Sequence, residues 1–116
     1  PYGSYNVEFG ADFEGGHAGY RTGTGPLALY EWNHVAGTYD GSFVKIYVNG
    51  ACVLEQPQSG KIRHSWLPNM TLQIGSFIST RPGYESVCYF HGSIDEVAIY
   101  GRALTAEEIQ QHYQNG

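Results

Sequence analysis

Positive charge is scarce in this chain: six Lys and Arg stand against eleven Asp and Glu, for a net charge of −5. With no Lys/Arg cluster to offset phosphate, nucleic acid and anionic membrane surfaces are argued against as partners. Long apolar runs are missing too. None approaches the roughly 18 residues that a membrane-crossing helix requires, so no membrane insertion is expected. Cysteine is limited to Cys52 and Cys88, which have neither C-x-x-C spacing nor the company of His that zinc sites show. Charged residues make up only 15% of the chain, whereas glycine occurs 16 times and tyrosine 10 times, a balance that suits a turn-rich all-β protein better than a helical or disordered one. At 116 residues there is room for one core, and a single domain over 1–116 is expected.

The most informative stretch is 32–50, Trp-Asn-His-Val-Ala-Gly-Thr-Tyr-Asp-Gly-Ser-Phe-Val-Lys-Ile-Tyr-Val-Asn-Gly. It predicts two β-strands joined at Asp40-Gly41 and closed by Asn49-Gly50, pairs that tolerate the positive φ of tight hairpin turns. Val44, Ile46 and Val48 share one parity, and Lys45, Tyr47 and Asn49 the other, the period of a sheet with one face on a core. Together with Gly-Ser-Ile-Asp-Glu-Val-Ala-Ile-Tyr-Gly-Arg-Ala-Leu-Thr-Ala-Glu-Glu-Ile at 92–109, this stretch resembles the laminin-G-like branch of the concanavalin A-like jelly-roll sandwiches. The resemblance implies an antiparallel β-sandwich and a secreted or cell-surface binding module, without naming a ligand.

The resemblance carries further expectations. In such domains the Trp, His and Val of the first motif are packing residues, so Trp32 and His34 are expected to be structural. An extracellular setting favours a Cys52–Cys88 disulfide, the alternative being two thiols buried as small apolar groups. Asp95, in the Ile-Asp-Glu-Val motif, resembles an aspartate that ligates a structural Ca²⁺. Its parity with Val97 and Ile99 on a last strand over 92–100 aims it at the core side, where either a cation or several backbone N–H groups must compensate it. Family members also carry strands ahead of the stretch equivalent to 5–13, and this chain is expected to lack them. Three explanations then compete: the missing part lies on another chain, the loops of a shortened variant re-pair, or a neighbouring copy donates strands and makes a homo-oligomer.

From the N-terminus, 5–13 predicts a strand with Tyr5, Val7, Phe9, Ala11 and Phe13 inward and Glu8 and Asp12 outward, followed by Glu14. Carboxyls two apart on a strand lie about 6.6–6.8 Å from each other, within the roughly 6.5–9.5 Å of an inverting glycosidase. Asp12 and Glu14 are therefore the candidate pair for a hydrolase. The related sandwich hydrolases space their carboxylates differently, so a solvated acidic face is favoured and no enzyme is expected. The glycine-rich 15–25 reads as a loop or short hairpin and lacks the ending of a phosphate-binding loop. Asn69-Met70-Thr71 is an N-glycosylation sequon, and 71–76 predicts a strand with Leu72 and Ile74 inward.

An irregular rim loop is expected over 77–89, and such loops usually hold binding specificity. Trp66, Arg81, Tyr84, Glu85 and Tyr89 are its candidate carbohydrate-binding residues, aromatic faces for the apolar side of a sugar ring and polar groups for its hydroxyls. Last, Thr105 and Glu108 form a capping box with Leu104 and Ile109 at the staple positions, predicting a short helix over 104–113. The functional expectation is a non-catalytic extracellular module that binds a glycan or an extracellular protein. The alternative is a self-associating structural subunit.

Overall fold

The structure, a computed structural model, describes residues 6–23, 25–63, 74–79 and 86–116, with side chains throughout these except at 17, 76–79 and 86–88. The chain divides into two compact units, Pro1–His64 with Tyr100–Gly116, and Ser65–Ile99. Among the described residues no helix is long and apolar enough to cross a membrane.

The first unit contains two antiparallel sheets: β1 (Glu8–Phe13) pairs with β2 (Gly16–Arg21), and β3 (Val35–Tyr39), β4 (Phe43–Val48) and β5 (Ala51–Pro57) follow in that order. The glycine-rich stretch after β1 is thus the return strand of a hairpin, with Glu14 and Gly15 in its turn and Gly16 at φ 126°. β4 behaves as its alternation predicts. Val44, Ile46 and Val48 are buried, while Lys45 is only half-buried and faces Glu55 across the ladder at 3.8 Å.

The two turns of the 35–57 meander differ from each other. Asn49 and Gly50 both have positive φ, 51° and 81°, as a primed two-residue turn requires. At the other turn only Gly41 is positive, at 94°. There Asp40 acts through its side chain, with Oδ1 accepting the amides of Ser42 and Phe43 at 2.8 Å each. Those backbone hydrogen bonds hold the Asp40 carboxyl below its ordinary pKa.

The sheets meet face to face through aromatic residues of β1. Phe13 is buried with its ring edge-on to Tyr39, centroids 4.9 Å apart, and a Cβ added to Gly37 would run into the ring of Phe9. Residues 61–63 return along the open side of β1, where Arg63 N donates to Asp12 O at 2.7 Å and Glu14 N to Lys61 O at 3.0 Å. Tyr39 Oη donates to Gly60 O, and Tyr20 Oη donates to Gln58 Oε1 at 2.6 Å, so both hydroxyls tie the strands to the segment leaving β5.

Parity alone puts Tyr47 on the far side of β4, yet Tyr47 is also buried. A register shift lies between Ile46 and Tyr47, whose partners are Leu54 and Cys52; Val53 is the extra residue of a bulge. The helix α1 (Ala106–Asn115) closes over the adjoining turn: Gln110 and Tyr113 pack so tightly on Gly50 that a Cβ there has no room. Burial pushes the Tyr47 phenol above its usual pKa, with Cys52 next and Glu107 of α1 among the smaller contributors. The capping box forms as expected, Glu108 N donating to Thr105 Oγ1 at 3.2 Å and Thr105 N to Glu108 Oε1 at 3.1 Å. Arg102 adds a two-pronged ion pair at 2.8 and 2.6 Å, and with the Thr105 amide it brings the Glu108 carboxyl down to about 2. Ile109 is fully buried.

The second unit contains the hairpin of β6 (Ser76–Ser79) and β7 (Ser86–Tyr89), with Phe90 N donating to Gly75 O at 2.8 Å. The stretch expected to be an irregular loop over 77–89 therefore begins and ends in strands. Ile74, expected inside a strand, is exposed and lies in a bend beside Gly75 at φ 82°. The strand expected over 92–100 is not formed: residues 93–100 have no ladder partner among the described residues, and Val97 and Ile99 are exposed. Alternation prepares a segment for a sheet, but the strand exists only when a neighbour takes up its backbone N–H and C=O groups.

Candidate functional site

Of the five candidate carbohydrate-binding residues proposed from sequence, Trp66, Arg81, Tyr84 and Glu85 lie outside the described residues, as does the sequon residue Asn69. Tyr89 ends β7 opposite Ser76 and is exposed. Asp95 is exposed rather than aimed at a core, and its Oδ1 accepts the Glu96 amide at 2.8 Å, with Glu96 at φ 53°. Among the described residues Asp95 joins no cluster of three or more His, Cys, Asp or Glu.

The expected Cys52–Cys88 bridge involves a side chain, that of Cys88, outside the described residues. Cys52 is a free, exposed thiol on β5 whose Sγ donates to Leu54 O at 3.4 Å. The candidate hydrolase pair is divided between a strand and the turn that follows it. Asp12 is half-buried on β1, whereas Glu14 has left the strand for the turn, with its amide bound to Lys61. Glu8 is paired with Arg21 at 2.8 Å.

Another surface comes forward from the segment that enters β3. Leu29, Tyr30 and Trp32 are all exposed, Tyr30 completely and Trp32 at 70%. His34, by contrast, is half-buried with its ring 6.2 Å from Tyr113, so the expectation of a packing role holds for His34 and fails for Trp32. Tyr30 sits at φ 61°, a left-handed conformation that costs an aromatic L-residue roughly 1–2 kcal/mol. Strain of this kind persists only where the surroundings impose it, and it tends to collect at functional surfaces.

Asn33 imposes it. Its Oδ1 accepts Ala28 N at 3.0 Å, and its Nδ2 donates to Ala28 O at 2.7 Å and to Glu31 O at 3.1 Å. Asn49 then fixes Asn33 to the body of the fold: Nδ2 donates to Asn33 Oδ1 at 3.1 Å, Oδ1 accepts His34 N at 2.8 Å, and its own amide donates to His34 O at 2.8 Å. Since α1 packs on Gly50, the ledge, the turn and the helix are built into one another. The side chains of Tyr30 and Trp32 are thereby presented from a backbone held by at least six hydrogen bonds. Their chain separation of two residues keeps their Cα atoms within about 7 Å.

Two large exposed aromatic side chains thus share one clamped and strained loop. The sequence holds a sign of it in Asn33 and Asn49, amides at both ends of a two-strand unit, though nothing in the linear pattern tells a packed Trp from a displayed one.

Comparison with known proteins places this geometry in a family. A laminin-G-type family model, the concanavalin A-like lectin/glucanases superfamily, matches residues 2–110. The chain belongs to that superfamily. It is 36% identical over 84 residues to human adhesion G-protein coupled receptor D1, a match that takes in 71% of this chain and 9% of the receptor. It also resembles the crystal structure of an S-layer domain-containing protein (residues 221–444) from Clostridium thermocellum ATCC 27405, with a TM-score of 0.61 and 30% identity over 93% of this chain and 51% of the other. The chain thus spans a small part of the receptor and about half of the S-layer protein's chain. The antiparallel β-sheets with one short C-terminal helix are consistent with the concanavalin A-like β-sandwich of that superfamily.

Proposed function

We propose that the chain is a non-catalytic, extracellular or cell-surface module that binds carbohydrate or mediates adhesion. The observation that carries this reading is the Tyr30–Trp32 ledge, an aromatic surface held open on a rigid clamp in a lectin-type sandwich. Support also comes from the names of its relatives, an adhesion receptor and an S-layer domain-containing protein, and from an acidic chain with little to offer a nucleic acid. A glycan array probed with the purified protein, with and without Ca²⁺, tests it. Specific signals on a restricted set of glycans are the expected result, and a calcium requirement would restore the ion expected at Asp95. Silence on glycans and on extracellular matrix proteins in both conditions would overturn the reading.

A second reading, a structural subunit that self-associates or is completed by another chain, is favoured by one observation. An open cleft of about 200 Å³ lies between β1 and β3, lined by Val7, Phe9, Val35, Gly37 and Ile46, and Val35 of β3, an edge strand, is exposed there. Size-exclusion chromatography with light scattering separates the two: a concentration-dependent multimer supports self-association, and a stable monomer rejects it.

A further inference from the structure

We infer that the ledge takes a neutral saccharide, stacked on Tyr30 and Trp32, and that it discriminates against sulfated and other acidic glycans. This rests on the proposed binding function and specifies its ligand class and its contact residues.

The charge distribution argues for neutrality. Between the two aromatics in sequence is Glu31, exposed, a carboxylate that repels sulfate and accepts hydrogen bonds from hydroxyl groups. The chain has six Lys and Arg in all, and three of them are committed to carboxylates of their own: Arg21 to Glu8 at 2.8 Å, Lys45 to Glu55 at 3.8 Å and Arg102 to Glu108 at 2.6 Å. No Lys or Arg lies within 29–33, so an anionic polymer at the ledge would meet Glu31 and a net charge of −5. A neutral pyranose meets neither obstacle.

The chemistry of the two side chains argues for a sugar rather than an aliphatic partner. A pyranose presents axial C–H groups on one face, which lie against the electron-rich face of Tyr or Trp, while its edge carries hydroxyls that need a nearby acceptor. Glu31 supplies the acceptor. The Asn33–Asn49 clamp holds the loop in one conformation before a ligand arrives, so little ordering is left for binding to oppose.

Isothermal titration of the intact protein with neutral gluco-, manno- and galacto-oligosaccharides and with heparin, each at low and high salt, tests the inference. At least one neutral series binds with an affinity that salt barely changes, and heparin does not bind at low salt. Trp32→Ala weakens that binding by about tenfold or more and Tyr30→Ala by a few-fold, of the order expected for losing one aromatic contact. Trp32→Phe recovers part of the loss. Far-UV circular dichroism and the melting temperature stay at wild-type values, since both side chains are exposed. Salt-sensitive binding of heparin with no neutral ligand overturns the inference and leaves the carbohydrate-binding function standing. Neutral binding that survives both alanine substitutions overturns the ledge as its site. Failure of every saccharide, alongside capture of an extracellular matrix protein, overturns the sugar and leaves adhesion.

Discussion

β4 and the segment 93–100 repeat the same pattern of side chains, and only one of them is a strand. Val44, Ile46 and Val48 recur at every second residue and are buried between β3 and β5, each side of the backbone hydrogen-bonded. Val97 and Ile99 recur in the same way and are exposed on a backbone without a ladder partner among the described residues. The difference teaches that period two is a statement about which face a strand could bury, whereas the strand itself depends on donors and acceptors supplied from elsewhere in the chain.

The comparison can be broken most forcefully by truncating one residue from each side. Ile46→Ala should lower unfolding free energy by about 3 kcal/mol, the usual cost of emptying a fully buried aliphatic site, while Ile99→Ala should change it by under about 0.5 kcal/mol. Urea denaturation of the two variants checks this, and equal losses would mean that 93–100 is also part of a core. Gly37→Ala comes next. Its new methyl displaces the Phe9 ring and should cost about 1–3 kcal/mol, read as a lower melting temperature, with no such effect for Gly101→Ala, where a Cβ meets nothing within 4 Å.

Smaller effects sit at the helix, which supports the well-built region from behind the Asn49-Gly50 turn. Thr105→Ala removes the cap and should cost about 1 kcal/mol. The Glu108 carboxyl, lowered from 4.5 to about 2 chiefly by the side-chain hydrogen bond from Arg102, binds its proton less readily folded than unfolded. Its contribution is therefore complete above pH 4.5 and declines as the pH falls toward 2. Stability measured by urea titration across that window should fall less steeply in Glu108→Gln than in the parent. The smallest effect is at Cys52, whose exposed thiol should react with maleimide in the folded, unreduced protein without shifting its melting temperature. Protection until a reductant is added would instead indicate a disulfide.

Much of the first unit was legible from residues alone. Asn49-Gly50 needs positive φ at both positions and has it; Thr105 and Glu108 cap each other; β4 buries the residues its alternation selects. What could not be read depends on partners far off in sequence. Tyr47 is on the polar parity of β4 and is buried, beside a turn on which α1, some sixty residues later, packs through Gln110 and Tyr113. Asp40 looked like a positive-φ turn residue and works instead through its carboxylate. Trp32 is the instructive case. A tryptophan at the mouth of a hairpin reads as core, and only the three-dimensional clamp of Asn33 and Asn49 shows it turned outward.

Because the chain contains two tryptophans, Trp32 and Trp66, their fluorescence can be read separately in Trp66→Phe and Trp32→Phe proteins. On titration with whichever neutral oligosaccharide binds, the protein retaining Trp32 should show a blue-shifted, saturable change in emission at the binding affinity. The protein retaining Trp66 should bind more weakly and show no such change. A saturable response from Trp66 with none from Trp32 would contradict the account and move recognition away from the ledge.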